Sequence, residues 1–252
     1  MQPCIFVLID GLPARHAVHM GWLGAMCAAG RARHAVMDCE LPPLSRPLYH
    51  CILAGQLPVD SGVAHNDVPR AAPGAPASIF HRAVAAGLVT AAAAYHWISE
   101  LYNVAPWNPL EHRLTDDATL PVQHGLFYCE DEYPDSHVFL DAEALRRRHS
   151  PDFLLVHTMG VDYAGHCHGG DSAQCRQAAR KVDMLLARCV PAWLAAGYAV
   201  MVASDHGMHA DGMHNDLSAD VRQVPLWIMG TDAPLPTRQT AWADTLCGVL
   251  GI

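Results

Sequence analysis

The sequence predicts an α/β fold with a central, mostly parallel sheet flanked by helices. Three observations predict it: apolar runs of strand length recur along the chain, helical stretches separate them, and the clearest runs end in an acidic residue and a glycine. Cys4 to Ile9 is the first run, continuous enough for a central parallel strand, and it stops at Asp10-Gly11. A helix is expected from Ala14 to Ala29 with Gly30 as its stop, then a short strand from Ala35 to Cys39. The proline-punctuated turn from Leu41 to Pro47 leads into a helix over Leu48 to Ala54, ended by Gly55. Val59 to Pro76, rich in Pro, Gly, Asp and Asn, reads as loop. Ala77 to Ala86 reads as helix and Val89 to Tyr95 as strand.

Residues 96–136 break this rhythm with a long, aromatic and acidic stretch, read as an insertion or small cap on a single domain spanning residues 1–252. A loop-rich flank packed on the sheet edge is the equal alternative. The alternation resumes with a helix over Asp141 to Arg148, a strand over Phe153 to Thr158 and a long helix over Gln174 to Leu194. Strands at Tyr198 to Ala203 and Val224 to Met229 and a helix from Thr240 to Val249 complete it.

Composition narrows the function classes. With 51% apolar and 16% charged residues the chain is globular rather than disordered. A formal charge of −9 argues against a nucleic acid polymer or an anionic membrane surface as partner, since both call for clustered Lys and Arg. No apolar stretch approaches the roughly 20 residues of a membrane span. Nine cysteines without a CxxC pair, and an N-terminus without a basic start or small-residue cleavage site, predict free thiols in the cytoplasm. Seventeen histidines supply an ample stock of metal ligands.

The strand ends carry the chemistry. Tyr198 to Ala203 runs into Ser204-Asp205-His206-Gly207, with His214 in the loop beyond. Alone, this stretch fits a metal site and a polar loop with surface histidines equally well. Phe153 to Thr158 leads into Asp162 and His166, and the first strand delivers Asp10. A parallel sheet places the carboxyl ends of its strands on one edge, where ligands bind. Clustered there, uncompensated carboxylates repel one another, and a bound cation is the natural remedy. Mixed Asp and His ligands fit zinc best, with manganese and iron as alternatives. Ser45, where a turn enters a helix, is open to two roles: nucleophile beside a metal, or plain N-cap.

Taken in order, Val7-Leu-Ile-Asp10-Gly, Leu44-Ser45-Arg-Pro47, Leu53-Ala-Gly55-Gln-Leu-Pro58, Asp162-Tyr-Ala-Gly165-His166, Ser204-Asp205-His206-Gly207-Met208 and His214 resemble the alkaline phosphatase superfamily. The nearest branch is the nucleotide pyrophosphatase/phosphodiesterase (type I phosphodiesterase) family, and the resemblance runs from residue 5 to about 215. It implies an alkaline-phosphatase-like sandwich and two zinc ions. One ion would be held by Asp162, His166 and His214, the other by Asp10, Asp205 and His206 with Ser45 completing its shell. Ser45 would be the nucleophile, forming a phosphoserine intermediate, and Asn66 would contact a non-bridging phosphoryl oxygen.

The implied activity is hydrolysis of a small-molecule phosphate diester or pyrophosphate. A phosphonate hydrolase, a phosphomonoesterase, and a non-catalytic metal- or phosphate-binding relative are the alternatives. Two positions depart from the pattern. Leu48 stands where the phosphodiesterase branch has Asn, and Tyr49 stands where sulfatases have Arg, which disfavours sulfate ester hydrolysis. Arg46 is the residue that would meet the extra charge of a monoester, but it is expected to point away. Cys167, His168, His209 and Asp211 are expected to be outer or surface groups rather than ligands.

Overall fold

The computed structural model describes residues 1–74 and 77–252. The sheet is eight-stranded, in the order β2-β8-β7-β1-β6-β3-β5-β4. Its strands are β1 (Cys4–Ile9), β2 (Ala32–Asp38), β3 (Thr90–Tyr95), β4 (Leu114–Asp116), β5 (His124–Tyr128), β6 (Phe153–Thr158), β7 (Ala199–Ser204) and β8 (Gln223–Met229). β7, β1, β6, β3 and β5 form the parallel centre. β8 runs antiparallel to β7, and the edges β2 and β4 run antiparallel to β8 and β5. The predicted α/β class, with a mostly parallel sheet between helices, is what forms.

Alternation along β1 shows how the layers close. Phe6 and Leu8 enter one core with α2 (Ser45–Ala54), α4 (Ile79–Ala85) and α11 (Trp242–Leu250). Ile5, Val7 and Ile9 enter the other with α1 (Gly21–Ala28), α7 (Asp135–His149) and α9 (Ala173–Ala195). A strand buried on both faces must read as an unbroken apolar run, which is why β1, β6 and β7 are so plain in the sequence.

Several elements differ from expectation for identifiable reasons. The helix expected over 14–29 is a 3-10 segment, Ala14–His19, followed by α1 after a non-helical Met20. Asp183 of α9 sets the new start: its carboxylate accepts from the Trp22 and Leu23 N–H groups at 2.7 and 3.0 Å. The helix expected from Leu48 begins at Ser45, and Gly55 closes it with φ +73°. Within the expected loop 59–76, Pro58–Ser61 forms one helical turn, α3, while residues 75 and 76 lie outside the described residues.

Residues 96–136 hold α5 (Trp97–Tyr102), α6 (Pro109–His112), β4 and β5, so this segment builds the last two strands of the sheet. The segment that follows the Phe153 strand, for which no element is expected, is helical: α8 spans Gly160–His168. One turn, α10 (Ala219–Arg222), precedes β8. Among the described residues no helix is long and apolar enough to cross a membrane, and all nine cysteines are free thiols.

Candidate active site

The carboxyl ends of β1, β6 and β7 meet as the parallel register dictates: Ile9 pairs with Thr158 on one side and Ser204 on the other. Asp10 continues β1, its N–H bonded to Thr158 O at 2.9 Å. Gly11 N–H donates to Asp205 Oδ1 at 3.1 Å and Leu12 N–H to Ser204 Oγ at 3.0 Å, lacing the end of β1 to that of β7. Gly11 is required here twice over. Its φ is +67°, and a Cβ would lie 2.8 Å from Asp162 Cα.

Asp162 and His166 stand four residues apart on α8, hence on one helix face, with His166 Nε2 3.4 Å from Asp162 Oδ2. Asp135 Oδ1 accepts from Gly160 N at 3.1 Å and so caps the start of that helix from α7. Ser45 opens α2 without capping it: the Leu44 N-cap has no side-chain bond, and Ser45 Oγ lies 3.0 Å from His206 Nε2. Asn66 Oδ1 accepts from Arg46 N at 3.1 Å, which leaves its amide N–H groups free beside the start of α2.

The two inner histidines have assigned tautomers. His206 Nδ1 lies 2.9 Å from Gly207 O and His214 Nδ1 2.7 Å from Pro43 O; each donates there and keeps Nε2 as a lone pair. Burial, reinforced by repulsion from His214, pushes the His206 pKa down to about 3, and burial likewise lowers that of His214. Both rings are therefore neutral, the form that binds a metal.

The carboxylates show the opposite strain. Burial, with the charge of Asp10 acting in the same direction, pushes Asp162 and Asp205 well above the usual carboxylate range. In Asp10 burial pulls upward too, but the donors His157 and Tyr49 and the neighbouring His206 hold its carboxyl low. Asp10 Oδ1, Asp162 Oδ1 and Asp205 Oδ2 are buried without a hydrogen-bond partner. Three converging carboxylates with orphaned oxygens, interleaved with neutral imidazoles, have the chemistry of a cation site. Asp162, His166 and His214 offer ligand atoms within 4.8 Å of one another, as do Asp10, Asp162 and His206.

Seven of the eight residues singled out in the sequence meet at this sheet edge, with Asp162 common to both trios, while Asn66 is joined to Ser45 only through the Arg46 N–H. Arg46 turns away from the cluster. Its guanidinium pairs with Glu100 Oε2 at 2.6 Å and lies 4.6 Å over the Trp97 ring. Cys167 and His168 are exposed, while His209 pairs with Asp211 at 3.1 Å. Sequence reasoning missed Tyr49 and His157, both fully buried against Asp10. The available signals were slight: Tyr49 follows Ser45 by one helical turn, and His157 is the lone imidazole in an apolar strand.

Similar folds occur among solved structures. Murine ectonucleotide pyrophosphatase / phosphodiesterase 5 in complex with AMP superposes with TM-score 0.72 at 11% identity, covering 100% of this chain and 96% of that one. A 2-O GAG sulfatase gives TM-score 0.66 at 14% identity, over 100% of this chain and 71% of that one. Phosphonoacetate hydrolase from Sinorhizobium meliloti 1021, in complex with phosphonoformate, gives 0.59 at 19%, over 82% and 56%. These likenesses establish an alkaline-phosphatase-like fold. No curated protein matches the chain. Residues 4–217 match the family model for type I phosphodiesterase / nucleotide pyrophosphatase, and the chain therefore belongs to that family of phosphoester hydrolases.

Proposed function

We propose that the chain is a two-ion phosphodiesterase or nucleotide pyrophosphatase whose nucleophile is Ser45. The observation that carries this reading is the placement of Ser45 Oγ. It is buried at the start of α2, 3.0 Å from His206 Nε2, which itself stands 3.5 Å from Asp10 Oδ1 and 3.4 Å from Asp205 Oδ2, two carboxylate oxygens that lack partners.

The donor set fits metal ions, and its shape favours two. The His206 and His214 rings are stacked, centroids 3.8 Å apart and planes 12° from parallel. Lone pairs in parallel planes run side by side rather than to one point, so these imidazoles serve different ions. We assign Asp162, His166 and His214 to one, and Asp10, Asp205, His206 and Ser45 Oγ to the other. Mixed carboxylate and imidazole donors support zinc, with manganese and iron as alternatives. When bound, such ions favour the ionised serine and stabilise the attacking and leaving oxygens of an in-line displacement.

The protein's own part follows from the geometry. Ser45, its proton lost to solvent, would form an Oγ–P bond as the bond to the first leaving group breaks; a water would then attack phosphorus, break the Oγ–P bond, release the phosphate product and return the serine. Asn66, held through Oδ1 by Arg46 N–H, turns its amide donors to a non-bridging oxygen. Glu100 Oε2 pairs with the Arg46 guanidinium and offsets its charge, which lessens its use for the second charge of a monoester and supports a diester. The nine free thiols support a reducing compartment, and we read the enzyme as cytoplasmic, acting on a small-molecule phosphate ester.

The test combines metal analysis with turnover of p-nitrophenyl phosphodiesters after reconstitution, the matching monoester run in parallel. Two ions per chain and a faster diester reaction are expected. Fewer than one ion per chain with no hydrolysis overturns the reading, and a faster monoester reaction overturns the diester assignment.

A further inference from the structure

Two side chains outside the ligand set converge on a single oxygen of Asp10. Tyr49 lies one turn beyond Ser45 on α2, and its hydroxyl donates to Asp10 Oδ2. His157, the penultimate residue of β6, places Nε2 3.4 Å from that same oxygen. The His157 ring packs edge-on against the Tyr49 ring, centroids 4.6 Å apart. All three residues are 0% exposed.

The backbone fixes the tautomer of His157. Tyr95 N–H donates to His157 Nδ1 at 3.3 Å, so Nδ1 is the acceptor and the proton resides on Nε2. His157 therefore faces Asp10 with an N–H and not a lone pair for an ion; at 3.4 Å that N–H is in electrostatic contact with Oδ2, and Tyr49 makes the formed hydrogen bond. Asp10 Oδ1 differs from Oδ2 in both respects. It has no hydrogen-bond partner, and it stands 3.5 Å from His206 Nε2, on the side of the proposed ligands.

We propose that Tyr49 and His157 are positioning residues of the metal centre: they engage Asp10 Oδ2 and leave Oδ1 as the oxygen offered to the ion that Ser45 also approaches. Ser45 and Tyr49 share a face of α2 at i and i+4. The Tyr49–Asp10 bond therefore does a second job, setting the distance from the nucleophile's helix to the end of β1. The inference rests on the two-ion reading above. Outer partners of this kind typically change metal affinity by about 10–100-fold when removed.

The experiment is a chelator-buffered zinc titration of the full chain, comparing wild type with Tyr49→Phe, His157→Leu and His157→Gln, with thermal unfolding of the metal-free proteins alongside. Two zinc ions are expected in wild type. Tyr49→Phe and His157→Leu should each weaken one of the two sites by about 10–100-fold and spare the other. His157→Gln, which keeps a side-chain N–H, should recover part of that loss. If Tyr49→Phe does not fold, the His157→Leu and His157→Gln pair makes the same comparison. Variants that bind both ions with wild-type affinity while unfolding at lower temperature would show a merely structural role and overturn the inference alone. Wild type without bound zinc would overturn the two-ion reading and the inference with it.

Discussion

Replacing Asp135 by Asn should stabilise the protein at neutral and alkaline pH and leave its stability unchanged in mild acid. Asp135 begins α7 and accepts from Gly160 N at 3.1 Å, in a contact so close that a Cβ on Gly160 would strike its carboxylate. Burial pushes its pKa from 3.8 up to about 6, against the opposing pull of the Gly160 N–H and of Lys181. A carboxyl whose folded pKa exceeds its unfolded one favours the folded state when protonated. That favour is present in full below 3.8 and is lost as pH rises through about 6. The ionised form then costs about 1–3 kcal/mol at pH 7–8, the lower figure allowing for the half-buried residue's access to water.

Asn retains the acceptor for Gly160 N–H and cannot ionise. Thermal unfolding of Asp135→Asn should therefore give a Tm higher than wild type by about 2–10 °C at pH 8 and equal to it at pH 4. A Tm that falls at pH 8 would mean instead that the anion, not the acceptor, is what α8 needs at its start.

Three further outcomes are expected. Asn66→Ala should lower kcat/KM on a phosphodiester by about 10²-fold with metal content unchanged, as for a lost oxyanion donor, which steady-state kinetics and metal analysis check together. Glu100→Ala leaves the Arg46 guanidinium, 4% exposed, without its counter-charge, and chemical denaturation should show a loss of about 3–5 kcal/mol. Gly11→Ala meets both a positive φ and the Asp162 backbone, so stability should fall by about 1–3 kcal/mol or more, and the retained metal should fall with it.

The sequence made the site legible because the structure punctuates its central strands there. β1, β6 and β7 are buried on both faces, so their apolar runs are continuous, and each is followed within a few residues by its Asp or Asp/His group. Elements that depend on distant partners were not legible. α8 carries two glycines and starts at one of them, and its cap comes from Asp135, far upstream in α7. The break at Met20 answers to Asp183 on α9. β5 finds its place by pairing with β3, and β4 by pairing with β5, which no local periodicity in residues 96–136 announces. Tyr49 and His157 were hidden for a related reason. Within wholly buried segments, polar side chains show their purpose only once Asp10 is seen beside them.

In the proposed reaction Ser45, presented to a pair of metal ions, is the nucleophile. Its most direct test is the rate of bis-p-nitrophenyl phosphate hydrolysis by Ser45→Ala protein shown to hold the wild-type metal complement. The rate should fall at least about 10³-fold below wild type, the loss typical of a missing nucleophile. A rate within about tenfold of wild type would contradict that role and remove Ser45 from the mechanism.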